Sequence, residues 1–229
     1  MNITIDIGNS SIMLCAFRNE TIFKSLKLNV LKFDEQKLIN FIILLYSNDS
    51  KLNILISSVV PNITKNIIKL LNSNKIKYSL ARDLIKFNKL KTNLTNQKQI
   101  GDDRLINVIF AKYLYKKSII IIDFGTATTI DVLDQDGVYD GGVITPGIDL
   151  SLKSLKDCTA KLPLVKFKKT NNVVGKNTEQ AIRSGFYWGY ISMIQGLVQR
   201  IENEKRDTFR IILTGGNTKY FENCFKNVI

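Results

Sequence analysis

One short pattern occurs twice and constrains this chain more than any other feature. An apolar run ends in aspartate, one residue follows, then glycine, then a side chain carrying an amide or hydroxyl. The first copy is Asp6-Ile7-Gly8-Asn9-Ser10-Ser11, and the second is Asp123-Phe124-Gly125-Thr126. The order of elements around each copy is also shared. After the first, residues 2–7, 12–17 and 21–28 read as a strand meander. Asp34 is placed to cap a helix running to about residue 46, with Leu38, Phe41, Ile42 and Leu45 on one face. A strand at 53–59 follows, then a helix from Pro61 with Ile63, Ile67, Ile68 and Leu71 at helical spacing, and a short strand at 76–80.

The second copy restarts the series. Residues 118–122 form a β-branched strand, Thr128, Ile130 and Val132 alternate in the next, and Asp136-Gly137 turns the chain into a third at 138–144. Helices are expected at 148–156 and from 177 to about 202. A last strand at 209–213 runs into Thr214-Gly215-Gly216-Asn217. An internal duplication predicts two like α/β domains, 1–116 and 117–229, with mixed sheets flanked by helices and a cleft between them. Within the first of these, the polar stretch 86–99 reads as a functional loop or lid. Gly101-Asp102-Asp103-Arg104 then opens a helix with Leu105, Ile109, Tyr113 and Leu114 facing inward.

The chemistry of the repeated turn follows from its residue types. Glycine lets the backbone approach a phosphate without a Cβ in the way. Asn9, Ser10 and Thr126 add donors. Asp6 and Asp123 repel a phosphate unless a cation stands between them, so each turn predicts a bound metal ion. Gly101-Asp102-Asp103-Arg104 offers a carboxylate base beside a guanidinium, although acidic residues at a helix start also serve as simple caps. The Gly141-Gly142-Val143-Ile144-Thr145-Pro146-Gly147 segment brings backbone close either to a ligand or subunit, or to its own fold. Gly175-Lys176-Asn177-Thr178 either presents Thr178 to the cleft or caps the long helix.

Composition narrows the choice by exclusion. The chain contains no histidine, which removes histidine-based triads, metal sites and phospho-carriers. Cys15, Cys158 and Cys224 are odd in number and far apart, so neither a disulfide framework nor a zinc site is expected. No apolar run approaches the ~20 residues a membrane span needs, and a cytoplasmic location is expected. The net charge of +13 comes from dispersed basic residues; Lys166-Phe167-Lys168-Lys169 is the nearest to a basic run, so nucleic acid is not favoured as a partner.

Taken together, the Asp6 turn, Gly101-Asp102-Asp103-Arg104, Asp123-Phe124-Gly125-Thr126-Ala127-Thr128, the 141–147 segment, and Asn177-Thr178-Glu179 with Ser184-Gly185 resemble the type III pantothenate kinases. These belong to the acetate-kinase, sugar-kinase, Hsp70 and actin superfamily, with a ribonuclease H-like fold. The resemblance implies ATP-dependent phosphorylation of pantothenate, the first step of coenzyme A synthesis. It implies Asp103 as proton acceptor, with Gly101, Asp102, Asp103, Arg104 and Thr178 at the pantothenate site. ATP phosphates fall to Asp6, Ile7, Gly8, Asn9, Ser10, Ser11 and Thr126, and a monovalent cation, potassium or ammonium, to Asp123. Magnesium would accompany ATP, and a homodimer is implied. Ser10 stands where threonine is usual, Asp102 where a small or apolar residue is usual, and Leu94 where a tyrosine is common. The chain stops at Ile229, where such enzymes continue through a last strand and helix, which is expected to weaken the second sheet. The rival expectation is a non-catalytic relative acting as a transcriptional accessory protein; retention of Asp6, Asp103 and Asp123 argues against it.

Overall fold

Alternation along a strand decides which side chains enter the core and which remain to do chemistry. In the computed structural model, which describes residues 1–46, 52–83, 90–96 and 99–229, the chain separates into two compact units. The first comprises Met1–Leu90 and Asn96–Ile109, the second Lys91–Thr95 and Phe110–Ile229.

In the first unit, β1 (Asn2–Ile7), β2 (Ser11–Arg18) and β3 (Thr21–Asn29) form the antiparallel meander. The helix α1 (Glu35–Tyr46) crosses to β4 (Asn53–Ser58), which lies parallel to β1; α2 (Pro61–Ser73) then leads to β5 (Ser79–Leu80), parallel to β4. The sheet order is β3-β2-β1-β4-β5. Ile3, Ile5 and Ile7 point into a core completed by Leu38 and Ile42 of α1 and by Ile67 and Leu71 of α2. The Asp34 carboxylate accepts the Lys37 N–H at 2.9 Å, which is the N-cap its position predicts.

The second unit repeats this connectivity. Its meander is β6 (Ile119–Phe124), β7 (Ala127–Leu133) and β8 (Tyr139–Pro146). Two helices, α4 (Ile148–Asp157) and α5 (Thr178–Lys205), precede β9 (Arg210–Thr214), which is parallel to β6. The order β8-β7-β6-β9 matches the first four strands of the other sheet. Beside β9, in the place that β5 takes beside β4, Val228 bridges Ile211 in parallel. The core holds Ile120, Ile122 and Phe124 against Ile191 and Ile194 of α5. Phe124 stacks on Phe221 at 4.5 Å between ring centroids.

Two expectations are corrected. The strand expected at 76–80 shrinks to Ser79–Leu80, because Lys75 and Ile76 finish α2 instead. Lys75 takes a left-handed conformation (φ 55°), and the N–H groups of Lys75 and Ile76 return to the carbonyls of Asn72 and Leu71 at 3.0 and 2.9 Å. That is a Schellman cap with Ile76 as its buried apolar residue. The helix α3 (Asp102–Leu114) buries Leu105, Val108 and Ala111, whereas Tyr113 and Leu114 are exposed. A spacing of three, not four, defines its inner face. Of the lid expected at 86–99, residues 86–89 and 97–98 lie outside the described residues; within the remainder, Lys91 and Asn93 pair with the backbone of Tyr139 at 2.9 and 3.1 Å. No described helix is long and apolar enough to cross a membrane.

Candidate active site

The two acidic turns are built in the same way. In each, the residue after the aspartate is driven into the core: Ile7 is fully buried and Phe124 nearly so. Burial of a large apolar side chain contributes about 2–3 kcal/mol, enough to fix the phase of the strand end. Alternation then turns Asp6 and Asp123 to the opposite face. Each also acquires a hydroxyl neighbour through its parallel partner strand, since Asp6 is in register with Ser57 of β4 and Asp123 with Thr214 of β9. Strand register is set by tertiary pairing, so nothing in the local sequence marks Ser57 as part of this group.

The first turn is closed by the Gly8 N–H, which donates to the Ser11 carbonyl at 3.0 Å. A Cβ on Gly8 would meet only that carbonyl, at 3.5 Å. The fold itself therefore tolerates a side chain at Gly8, and local packing does not require the glycine. Asn9 and Ser10 are exposed beside it. The Asp6 carboxyl remains open to solvent but is crowded by protein. Burial, the largest influence, pushes its pKa above the ordinary 3.8; the Ser57 hydroxyl pulls it down, and the negative charge of Asp103 pushes it up again. Asp6 and Asp103 thus feel one another within the first unit. On the same sheet, burial and then the Asp6 charge push the Cys15 thiol up, so it stays a thiol and an unreactive one.

Asp103 sits in the first turn of α3, and its Oδ1 accepts the Arg104 N–H at 2.7 Å. Gly101 makes room for that carboxylate: a Cβ on Gly101 would stand 2.4 Å from Asp103 Oδ1. Asp102 does not share the environment of its neighbour. It is buried, and its Oδ1 receives Arg82 Nε and Nη2, each at 2.6 Å. Arg82 Nη2 also reaches the Ile100 carbonyl at 3.4 Å. Gly101, Asp102 and Arg82 line a cavity of about 450 Å³ together with Ser58, Thr64 and Gln99.

In the second unit, Thr126 is exposed at the turn and its carbonyl accepts the Gly147 N–H at 3.0 Å. The glycine-rich 141–147 segment serves the fold here. A Cβ on Gly142 would lie 1.8 Å from the Ile130 carbonyl oxygen, and one on Gly147 would lie 2.2 Å from that of Thr126. Gly147 thereby supports the turn that carries Thr126. Gly215 supports Asp123 in the same manner: its φ is +93°, and a Cβ there would stand 2.4 Å from Asp123 Oδ1 and 2.6 Å from the Phe124 nitrogen. At the start of α5, Asn177 is the cap, accepting the Gln180 N–H at 2.9 Å, and Thr178 is the first helical residue, exposed. Sequence reasoning did not single out Ser57 or Arg82, and both act through contacts distant along the chain.

Chemically, the first unit combines a carboxylate at a glycine turn, a second carboxylate at a helix start, and an arginine beside it. That set can hold a cation-bound phosphate and accept a proton. Its donors are hard oxygens. Among the described residues no group of three or more acidic, cysteine or histidine side chains forms a metal cage. Magnesium carried by ATP phosphates fits such a site, because it keeps most of its water and needs few protein ligands. Two mutually repelling carboxylates, Asp6 and Asp103, also favour a cation near them.

The family model for type III pantothenate kinase matches residues 2–200. A type III pantothenate kinase of Sulfurihydrogenibium sp. (strain YO3AOP1) is 41% identical over 232 residues, covering 96% of this chain and 89% of the relative. Among solved structures, a protein of Campylobacter jejuni described as a Baf family transcriptional activator superposes with a TM-score of 0.61 at 19% identity, covering 99% of this chain and 89% of that one. A protein of Sinorhizobium meliloti described as a 2-dehydro-3-deoxygalactonokinase superposes with a TM-score of 0.55 at 10% identity, covering 100% of this chain and 91% of that one. At such identities these likenesses establish the fold alone, the duplicated α/β fold of actin-like ATPases and sugar kinases.

Proposed function

The chain belongs to the type III pantothenate kinase family, and from that premise we propose how its residues divide the work of moving the γ-phosphoryl group of ATP onto pantothenate. The enzyme phosphorylates pantothenate to 4'-phosphopantothenate, the entry reaction of coenzyme A synthesis. The regulator alternative is not favoured. The structural likeness bearing a transcriptional description carries only fold information, and the chain retains Asp6, Asp103 and Asp123.

In this reading Asp103 accepts the proton of the pantothenate primary hydroxyl as that oxygen bonds to the γ-phosphorus. The bond to the bridging oxygen of ADP breaks in line. The transition state of such a transfer is loose and proton transfer comes late, so positioning matters more than basicity. Arg104, with Gly101, orients the substrate, and Thr178 adds a hydroxyl contact. Asp102, whose Oδ1 is held by Arg82, lines the same cavity and takes part in the substrate site from there. Gly8, Asn9, Ser10, Ser11 and Thr126 hold the phosphates, Ile7 anchoring the first turn from below. Magnesium, held with the phosphates beside Asp6, would neutralise charge developing on the phosphoryl oxygens. Asp123, a single carboxylate with a threonine in register beside it, suits a weakly held monovalent cation such as potassium or ammonium. A cytoplasmic homodimer completes the reading.

The observation that carries this assignment is that Asp6, at the end of β1, feels the charge of Asp103, at the start of α3, within the first unit. Its test is a coupled assay of ATP consumption. Turnover should require pantothenate, and should fall when potassium and ammonium are replaced by a larger cation. ATP consumption indifferent to pantothenate would overturn the reading.

A further inference from the structure

We propose that Arg82 is a positioning residue for the phosphoryl transfer: it clamps the peptide segment on both sides of Gly101 and so sets where Asp103 stands. The inference rests on the assignment of Asp103 as proton acceptor. Arg82 itself lies just after β5, twenty residues before the Asp102 it holds.

The geometry is that of a clasp. Arg82 Nε and Nη2 both meet Asp102 Oδ1 at 2.6 Å, and Nη2 reaches the Ile100 carbonyl at 3.4 Å. Ile100 and Asp102 are the two residues that flank Gly101, so one guanidinium holds the glycine between two fixed points. A glycine has the widest backbone freedom of any residue, and left alone it would let the start of α3 pivot. Asp103 comes next after Asp102, its Oδ1 so close over Gly101 that a Cβ there would stand 2.4 Å away. Any pivot at Gly101 therefore moves the Asp103 carboxylate.

Charge explains why the clasp is an arginine. Asp102 is 7% exposed, and a buried carboxylate is retained only when paired and hydrogen-bonded. Its neighbour Asp103 is also acidic, and Asp6 stands near enough to Asp103 to feel its charge. Without a cation on its far side, Asp102 would be repelled from the site and drawn toward water, carrying the first turn of α3 with it. The planar guanidinium compensates that charge and reaches the carbonyl as well, which a lysine ammonium does less completely. The Arg82 side chain is half exposed, so its own desolvation is modest while that of its partner is nearly complete.

Steady-state kinetics of Arg82→Met and Arg82→Lys test this, with thermal melting as a check on folding. A displacement of about 1 Å in a reacting group can cost roughly 100-fold in rate, so Arg82→Met should lose about tenfold to 100-fold in kcat. The KM for ATP should stay within about twofold, because the Asp6 turn is untouched, and Arg82→Lys should recover part of the loss. Should Arg82→Met fail to fold, Arg82→Lys alone decides, with kcat expected below that of the parent enzyme. A kcat equal to the parent in either folded variant would overturn the clasp, and so would a proportional loss of kcat and ATP affinity. Asp103→Asn, run alongside, separates the two ideas. If it retains turnover, the assignment of the base fails; if it is inactive while Arg82→Met is fully active, only the clasp fails.

Discussion

Replacing Gly101 by alanine separates activity from stability in a way few other changes can. The added Cβ would stand 2.4 Å from Asp103 Oδ1, whereas ordinary contact begins near 3.4 Å. The carboxylate, the end of a flexible side chain, must therefore retreat by about 1 Å. A misplacement of that size costs about 100-fold in rate, equivalent to about 2.7 kcal/mol of transition-state stabilisation. The backbone conformation at Gly101 is not left-handed, and the next neighbour, Val59 Cγ1, lies at an ordinary 3.4 Å. Alanine also restricts the unfolded chain more than glycine does, which contributes roughly 0.4–1 kcal/mol to stability where the native backbone permits it. The expected outcome is a kcat lowered about 100-fold with a melting temperature unchanged or slightly raised. Kinetics with pantothenate as the varied substrate and a thermal melt on the same sample measure both. A variant with parental kcat would refute the packing of Asp103 over Gly101, as would one whose lost activity merely follows lost stability.

Two further expectations follow from other residues. Asp6 is held above its ordinary pKa, so the folded protein binds its proton more tightly than the unfolded chain, and stability falls as pH rises from 3.8 through the raised value. Asp6→Asn, melted without ATP or divalent cation, should be more stable than the parent at neutral pH and indistinguishable from it in acid below 3.8; equal stability at both would contradict this. Gly215→Ala, at φ +93° and against the Phe124 backbone, should lose about 1–3 kcal/mol in urea unfolding, and full stability would show that β9 does not pack against Asp123 as described.

Much of the fold is legible in the sequence because it rests on local rules. The strand after Met1 ends at Asp6-Ile7-Gly8 because alternation and glycine both say so, and the same rules recover the second meander. Asp34 and Pro61 mark helix starts through capping chemistry that acts within one turn. What escapes is whatever depends on distant partners. Ile76 looks like the first residue of a strand, but as an apolar residue after the left-handed Lys75 it closes a helix, and only the hydrogen bonds distinguish the two. Tyr113 and Leu114 look like core because they are large, whereas the smaller Ala111 is what packs inward. In the site, the place of Asp103 at a helix start is legible from its motif, but the burial of Asp102 is not. Adjacent aspartates look alike in sequence; a guanidinium from beyond β5 is what pairs with Asp102 in the fold.

The measurement that bears most directly on the central claim is pantothenate-dependent ATP consumption by Asp103→Asn, with melting and ATP binding recorded on the same preparation. General-base catalysis contributes about 10²–10⁴-fold, so turnover should fall by at least about 100-fold while folding and ATP binding remain those of the parent. Turnover within about tenfold of the parent would contradict the assignment of Asp103 as the group that receives the hydroxyl proton.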